Sequence, residues 1–118
     1  FGGYEVVTTG IRRKLGKRPD EWARLLQDRG AGEIIINSVD RDGTLTGYDL
    51  ELIKQVTSAV SVPVIACGGA RNAADFGQAV KHGHASACGA GAMFVFQGRH
   101  RAVLINVPSP EELAAALR

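Results

Sequence analysis

Short, uninterrupted apolar segments alternate with helical patterns along this sequence. Segments 33–37 and 63–67 have continuous apolar centres, and each is followed by apolar residues at helical spacing. A third segment, 85–96, is broken by Gly89 and Gly91 and is predicted to be a buried strand that enters a glycine turn. Strands without polar alternation are typical of parallel sheets covered on both faces. The repeated strand–helix order therefore predicts an α/β fold of parallel strands with outer helices.

The helical patterns carry start and stop signals. The first helix is predicted to begin at Pro19 and to end at Gly30. A later helix is predicted to begin after Asn72, and the last one opens with the capping-box pattern 109–112. The residues predicted to lie on the inner faces of the first and last helices are Trp22, Leu25, Leu26, Leu113 and Leu117.

The segment ahead of the first helix is basic. Residues 4–9 are β-branched and aromatic, which predicts a strand, and the glycine-flanked stretch 12–18 predicts a turn or hairpin. The cations of this stretch are Arg12, Arg13, Lys14, Lys17 and Arg18. Two interpretations stay open, a solvated loop or a lid that attracts phosphate by folding over the strand ends.

Length and composition restrict the class of protein. A chain of 118 residues with a net charge of +2 predicts one domain, spanning 1–118, and no nucleic-acid partner. No segment approaches the roughly 20 consecutive apolar residues that cross a bilayer. Cys67 and Cys88 lack metal-site spacing, so we interpret them as free thiols in a reducing cytoplasm, and we expect no metal and no cofactor. Because Phe1 is not an initiator residue, we expect a fragment, a processed chain or a trimmed one.

The first candidate site is the loop 37–44. Ligands of parallel α/β folds bind at the carboxyl ends of strands, and this loop follows a predicted strand. Asp40 and Asp42 lie two residues apart beside Arg41, so they could supply an acid/base and a group that orients it. The alternative is a turn in which both carboxylates cap backbone groups.

The next two loops are rich in glycine. Gly68 and Gly69 follow the second strand, and Gly89 and Gly91 follow the third. Backbone amides can approach an anion where no side chain intervenes, and the helix N-terminus after each loop adds partial positive charge. Two consecutive glycine loops therefore predict a phosphate site, although each alone could be a tight turn. Turns or solvated surface are predicted for the three histidines, His82, His84 and His100.

At these loops the sequence resembles a known family. The motifs GAGEIIINSVDRDGTLTGYDLELIK, VPVIACGGARNAADF and GAMFVF cover nearly the whole chain. Together they are similar to the cyclase subunit of imidazole glycerol phosphate synthase, an enzyme of histidine biosynthesis. The resemblance implies the C-terminal half of a (β/α)₈ TIM barrel. The ending FVFQGRHRAVLINVPS looks more like a paralogue branch associated with the amidation of surface sugars.

The resemblance also implies roles for single residues. Asp42 matches a catalytic aspartate that acts as general acid/base in the cyclisation, and Glu33 matches a charged residue of the gate through which a glutaminase partner delivers ammonia. The positions that match the surroundings of a substrate phosphate are Asn37, Cys67, Gly68, Gly69, Gly91 and Ala92. Cys67 and Ala92 stand where many members have serine, so two hydroxyl donors are missing and backbone amides remain.

The family's second catalytic aspartate lies on its first strand, which this sequence does not contain. We therefore expect one phosphate site, one catalytic-type aspartate and little or no activity of the chain alone. A half-barrel leaves sheet edges unpaired, so we also expect a homo-oligomer. Two alternatives stay open. One is a fragment of the sugar-amidation paralogue, and the other is a non-catalytic, phosphate-binding oligomeric half-barrel. A flavodoxin-like sheet is less suitable because it gives no reason for two glycine loops.

Overall fold

A computed structural model describes residues 3–8, 10 and 13–118. Its central element is a parallel sheet in the order β1 (Ile34–Asn37), β2 (Val64–Cys67) and β3 (Ala87–Cys88). The helices α1 (Pro19–Asp28), α2 (Leu50–Thr57) and α3 (Ala73–Lys81) alternate with these strands. The predicted α/β architecture is therefore confirmed, and it is the arrangement of half a (β/α)₈ barrel.

The chain after β3 differs from the prediction. Only Ala87–Cys88 pairs with β2, and the predicted strand 85–96 is wrong beyond it. The turn at Gly89 and Gly91 leads into a short helix, α4 (Ala92–Val95), because apolar residues at 92–95 satisfy a helix as well as a strand. The chain continues through the antiparallel pair β4 (Phe96–Gln97) and β5 (Ala102–Val103) to α5 (Pro110–Leu117). The capping box predicted at 109–112 is confirmed.

The N-terminal segment forms a hairpin. Val7 makes an antiparallel bridge with Lys14, and the Val6 N–H donates to the Lys17 carbonyl over 2.9 Å. The predicted hairpin is confirmed for the described residues, whereas Thr9 and Arg12 lie outside them. Residues 6–8 pair within this hairpin, and no described residue of the segment predicted as a strand joins the parallel sheet. The Tyr4 hydroxyl donates to Asp49 over 2.7 Å, which attaches the hairpin to the start of α2.

The inner face of α1 is also corrected. Ala23 is buried, whereas Leu25 and Leu26 are exposed and Trp22 is half-buried. Trp22 and Leu26 border an open cleft of about 600 Å³ between the hairpin and the outer edge of β1. The apolar face predicted for α1 therefore faces a cleft that no described residue fills. Leu117 of α5, also predicted to be internal, is exposed, while Leu113 packs against the core.

Within the described part of the chain, helices cover one face of the sheet and leave the other open. Ile34 is buried together with Val56 and Val64, on the side where the helices pack. Ile35 points the opposite way, as alternate strand residues do, and is 66% exposed. The expectation of strands covered on both faces is therefore wrong for this chain. In a closed barrel the second face would be the packed interior, so half a barrel leaves it open.

Asp75 secures the start of α3. Its carboxylate is buried and accepts hydrogen bonds from the Arg71 backbone N–H, Nε and Nη2 at 2.8, 3.0 and 2.8 Å. Burial by itself raises the pKa of Asp75, but the hydrogen bonds and charge of Arg71 outweigh it, so the pKa lies below its usual value. A carboxyl group with a lowered folded-state pKa stabilises the fold above its unfolded-state pKa, and this stabilisation disappears as the pH falls through the folded-state value.

We expect Asp75→Asn to lower the free energy of unfolding by about 1–3 kcal/mol at neutral pH, because Arg71 loses a charged acceptor. The difference from the unsubstituted chain should shrink as the pH falls below about 4. Urea unfolding at several pH values measures both effects. Asp28→Asn, at an exposed position of α1, is the matched control and should change stability by less than about 0.5 kcal/mol. A constant difference across the acid range would contradict the linkage.

Candidate functional site

Three loops follow the carboxyl ends of the parallel strands. They comprise residues 38–49 after β1, 68–72 after β2 and 89–91 after β3. Since the strands are parallel and adjacent, all three loops leave the sheet at the same edge. The other candidate residues were predicted at this edge, and the structure places them there, whereas the resemblance assigned Glu33 to a gate at the other end of the barrel. Glu33 is exposed and precedes β1, at the opposite edge.

The first part of the loop after β1 folds without using the carboxylates of Asp40 and Asp42. The Ser38 carbonyl accepts the N–H of Arg41 at 3.2 Å and that of Asp42 at 2.8 Å, and the Thr44 hydroxyl donates to the Arg41 carbonyl at 2.6 Å. Asp40 and Asp42 are exposed, and neither carboxylate accepts a hydrogen bond from any residue that the structure describes. The alternative that both cap backbone groups is therefore wrong, and Asp42 is left with a free carboxylate.

The loops after β1 and β2 are held together by two glycines. The Gly47 N–H donates to the Gly69 carbonyl over 2.7 Å, and Gly69 adopts a φ of +104°. A Cβ at Gly69 would overlap the Gly47 carbonyl oxygen, and a Cβ at Gly68 would lie 2.7 Å from the Ser38 carbonyl oxygen. The glycine pair is thus required by the close approach of the two loops, a reason that the sequence did not reveal.

Tyr48 connects the first loop to the third. Its hydroxyl donates to the Gly89 carbonyl over 2.7 Å, and its ring is buried against Phe76. Burial is the main cause that raises the pKa of Tyr48. Arg41 Nη1 donates to the Tyr48 carbonyl at 3.1 Å, and its Nε lies 4.0 Å from Asp49. Sequence reasoning missed Tyr48 and this positioning role of Arg41, because the Tyr48 contact joins positions 41 residues apart.

Cys67 lies at the centre of the strand ends. It is half-buried, pairs with Asn37 in the strand register, and would collide with a Cβ at Gly89. Burial is the main cause that raises the pKa of the Cys67 thiol; the Gly89 backbone N–H counteracts it, and the negative charge of Asp42 raises it further. Asp42 is therefore close enough for its charge to act at the position predicted to hold a phosphate.

Backbone amides are free at this edge. No acceptor among the described residues takes the N–H of Gly69, Ala70, Gly91 or Ala92. Gly91 is exposed, with no atom within 4 Å of the position a Cβ would occupy. These amides could donate to an anion, although no hydroxyl side chain is available at Cys67 or Ala92.

The N-termini of α3 and α4 contribute less partial positive charge to the predicted phosphate site than expected. The N-terminus of α3 is capped by the Asn72 side chain, which accepts the Asp75 N–H at 3.3 Å, and the Asp75 carboxylate lies in the same turn. Its negative charge offsets the partial positive charge of the helix end. α4 has only four residues, so its dipole is small.

The remaining polar groups do not form a second site. Lys14 pairs with Glu5 at 3.6 Å and Arg18 with Asp20 at 2.7 Å, so part of the basic cluster is neutralised within the hairpin and α1. The histidines are exposed, as predicted: His82, His84 and His100. Among the described residues, no three His, Cys, Asp or Glu side chains are grouped so that they could hold a metal ion. Across the same residues, none of the helices has the length and apolarity needed to cross a membrane.

Known proteins are similar to this chain in sequence. The family described as Histidine biosynthesis protein matches residues 2–100. A Pseudomonas aeruginosa protein named "Putative imidazole glycerol phosphate synthase subunit hisF2" is 45% identical over 113 residues, which is 96% of this chain and 45% of that protein. Imidazole glycerol phosphate synthase subunit HisF of Alkaliphilus metalliredigens is 48% identical over 93 residues, 79% of this chain and 37% of that protein. The HisF subunit of Hyphomonas neptunium is 50% identical over 93 residues, 79% of this chain and 37% of that protein. The chain thus spans less than half the length of these relatives.

Proposed function

This chain belongs to the histidine biosynthesis protein family, and we propose that it carries the C-terminal part of an ammonia-dependent, imidazole glycerol phosphate synthase-type cyclase site. The observation that carries the proposal is the arrangement at the strand ends. A free carboxylate, Asp42, and the free amides of the two glycine loops leave the same edge of the sheet. That edge is where parallel α/β folds bind their ligands.

Asp42 is the proposed general acid/base. Ser38, Thr44 and Arg41 fix the backbone of its loop, and the carboxylate oxygens remain available for a substrate proton. We propose that this carboxylate takes a proton from the substrate as the base and returns it as the acid.

The phosphate of the substrate is the proposed ligand of the glycine loops. The free N–H groups of Gly69, Gly91 and Ala92 are the proposed donors, and Asn37, Cys67 and Gly68 shape the ends of the adjoining strands. The missing serine hydroxyls at Cys67 and Ala92 should weaken binding without abolishing it, because each hydrogen bond contributes about 1 kcal/mol.

The chain alone holds an incomplete site. The acid/base chemistry proposed for the family needs a second aspartate on the opposite side of the substrate, and the resemblance places that residue on a strand outside this sequence. The open sheet face around Ile35 supports the same conclusion, because a substrate bound there would be solvated on one side. We propose that the chain alone is inactive, and that this open face associates with a second copy or with the missing strands.

A glutaminase is the proposed partner of the complete protein. Glu33 lies at the amino edge of the sheet, opposite the Asp42 loop. In a complete barrel, ammonia that enters at this edge would cross the barrel interior to reach the carboxyl edge. The position of Glu33 at the amino edge therefore supports its proposed place in the gate.

The sugar-amidation paralogue is the second candidate function, and it is proposed from the resemblance of the tail 94–109 to that branch. The family match ends at residue 100, before most of this tail. Both candidates are ammonia-dependent synthases that would use the same strand-end loops. Turnover with a cyclase substrate rather than with a keto-sugar would separate them.

Phosphate titration followed by amide NMR shifts tests the anion site. We expect the largest shifts at Gly69, Gly91 and Ala92, and we expect Ala92→Ser to tighten binding about fivefold, because a serine hydroxyl restores one donor worth about 1 kcal/mol. Ala115→Ser, at an exposed position of α5, is the control and should leave binding unchanged. Shifts confined to the basic hairpin, with none at Gly69 or Gly91, would assign the anion to the hairpin instead.

A further inference from the structure

The third loop of the candidate site has no side chain that could fix its own backbone. Its sequence at 89–91, Gly-Ala-Gly, carries no polar side chain, and glycine is conformationally permissive. The Gly89 N–H donates to the Ala66 carbonyl over 2.7 Å, whereas the N–H groups of Ala90 and Gly91 meet no acceptor among the described residues. The direction of these two amides therefore depends on a contact from outside the loop.

Tyr48 supplies that contact. Its hydroxyl donates to the Gly89 carbonyl over 2.7 Å, and no other side chain in the described part of the chain hydrogen-bonds to the backbone of 89–91. The Tyr48 residue is 4% exposed, and its ring centroid lies 6.4 Å from that of Phe76. Arg41 Nη1 donates to the Tyr48 carbonyl over 3.1 Å, which anchors the Tyr48 backbone to the first loop. A side chain that is held in this way can hold the third loop in one place.

The geometry of the peptide group extends this contact to the next amide. The Gly89 carbonyl and the Ala90 N–H belong to one planar trans peptide, so they point in opposite directions. Because the carbonyl points at the Tyr48 hydroxyl, the Ala90 N–H points away from that hydroxyl. Rotation of this peptide would replace the N–H donor by a carbonyl oxygen, which accepts hydrogen bonds and repels an anion.

We propose that Tyr48 is a positioning residue of the anion site: its hydroxyl fixes the Gly89–Ala90 peptide so that the amides of Ala90 and Gly91 are ready to donate to the substrate phosphate. This role rests on the proposed phosphate site and adds the residue that organises it. The Tyr48 hydroxyl does not touch the phosphate; it reduces the entropy that an unrestrained loop would lose when the anion binds. Burial is the main cause that raises the pKa of Tyr48, so the hydroxyl stays protonated and donates at neutral pH.

Tyr48→Phe tests the proposal because it removes the hydroxyl and keeps the buried ring. In a titration of the 118-residue chain with inorganic phosphate, followed by amide NMR shifts, we expect Tyr48→Phe to weaken binding about three- to tenfold. Tyr4→Phe is the matched control. It removes a hydroxyl that donates over the same 2.7 Å, but to Asp49 at the start of α2, so it should change phosphate affinity by less than about twofold.

Two further measurements separate positioning from stability. Each variant loses one hydrogen bond of the fold, so urea unfolding should show a loss of stability for both, whereas only Tyr48→Phe should lose phosphate affinity. In the phosphate-free spectrum, Tyr48→Phe should shift the amides of Ala90 and Gly91 and leave that of Gly69 nearly unchanged. A destabilised Tyr48→Phe that binds phosphate as tightly as the unsubstituted chain would assign Tyr48 to the fold alone and overturn the proposal.

The unsubstituted chain provides a test that needs no variant. We expect backbone order parameters of about 0.85 at Ala90 and Gly91 both without phosphate and with it, because Tyr48 has already fixed the loop. Values below about 0.6 that rise on binding would mean that the phosphate orders the loop, and would overturn the proposal. If phosphate shifts neither Gly69 nor Gly91, the proposed anion site fails and the role of Tyr48 fails with it. If phosphate binds the unsubstituted chain and Tyr48→Phe equally, only the role of Tyr48 fails.

Discussion

Gly69→Ala is expected to lower the free energy of unfolding by roughly 2–5 kcal/mol, a large part of the 5–15 kcal/mol that is typical of a folded domain. Two costs add. Alanine is strained at a φ of +104°, and its Cβ would overlap the carbonyl oxygen of Gly47. To relieve the overlap, the loops after β1 and β2 would have to separate, which breaks the hydrogen bond from Gly47 to Gly69.

Gly91→Ala is the matched control for this effect. Gly91 has a φ of −135°, and the position of its Cβ is open, so the substitution should change stability by less than about 1 kcal/mol. The same substitution should nevertheless weaken phosphate binding if the anion approaches the Gly91 amide. Urea unfolding and phosphate titration of both variants separate the two roles. Equal stability of Gly69→Ala and the unsubstituted chain would show that the two loops are not fixed by their contact.

The order of strands and helices was predictable because each element carries its own local signal. The continuous apolar centres of β1 and β2 and the caps at Asn72 and Ser109 needed no knowledge of distant residues. The third strand was predicted too long because residues 92–95 are apolar and carry no periodic pattern. In the structure they form a short helix after the turn at Gly91.

Burial was less predictable than secondary structure. The three consecutive isoleucines of β1 indicate that both faces of the strand are covered. A residue pattern does not show whether the second face is covered by the same chain or by another one. Ile35 is exposed here for that reason. Leu26 of α1 is exposed for a related reason, because it borders the cleft beside β1, which no described residue fills.

In the candidate site, too, local features were predictable from the sequence, whereas contacts between distant residues were not. The residues around Asp42 left an acid/base and a capping turn open, and the structure shows an exposed Asp42 carboxylate in the loop after β1. By contrast, Tyr48 gave no sequence signal, since its partner Gly89 belongs to another loop. The pair Gly68 and Gly69 was interpreted as space for an anion, whereas its first physical requirement is the space for the neighbouring loop.

The largest effect on activity is expected at Asp42, in a complete barrel. The 118-residue chain alone should give no turnover with ammonia and the cyclase substrate, because one of two proposed acid/base groups is missing. A chimera that joins this chain to the amino-terminal part of the Alkaliphilus relative would supply the other group and cover the open face around Ile35.

In that chimera, Asp42→Asn should lower kcat/KM by about 10²–10⁴-fold, the usual contribution of a positioned acid/base. Asp40→Asn is the matched control, because it removes an exposed carboxylate from the same loop and should change kcat/KM by less than about tenfold. Steady-state assays of the chain, the chimera and both variants make the comparison. Turnover by the 118-residue chain at the rate of the chimera would mean that its site is already complete. If Asp42→Asn were as active as the unsubstituted chimera, the proton would have to be carried by another group at this edge of the sheet.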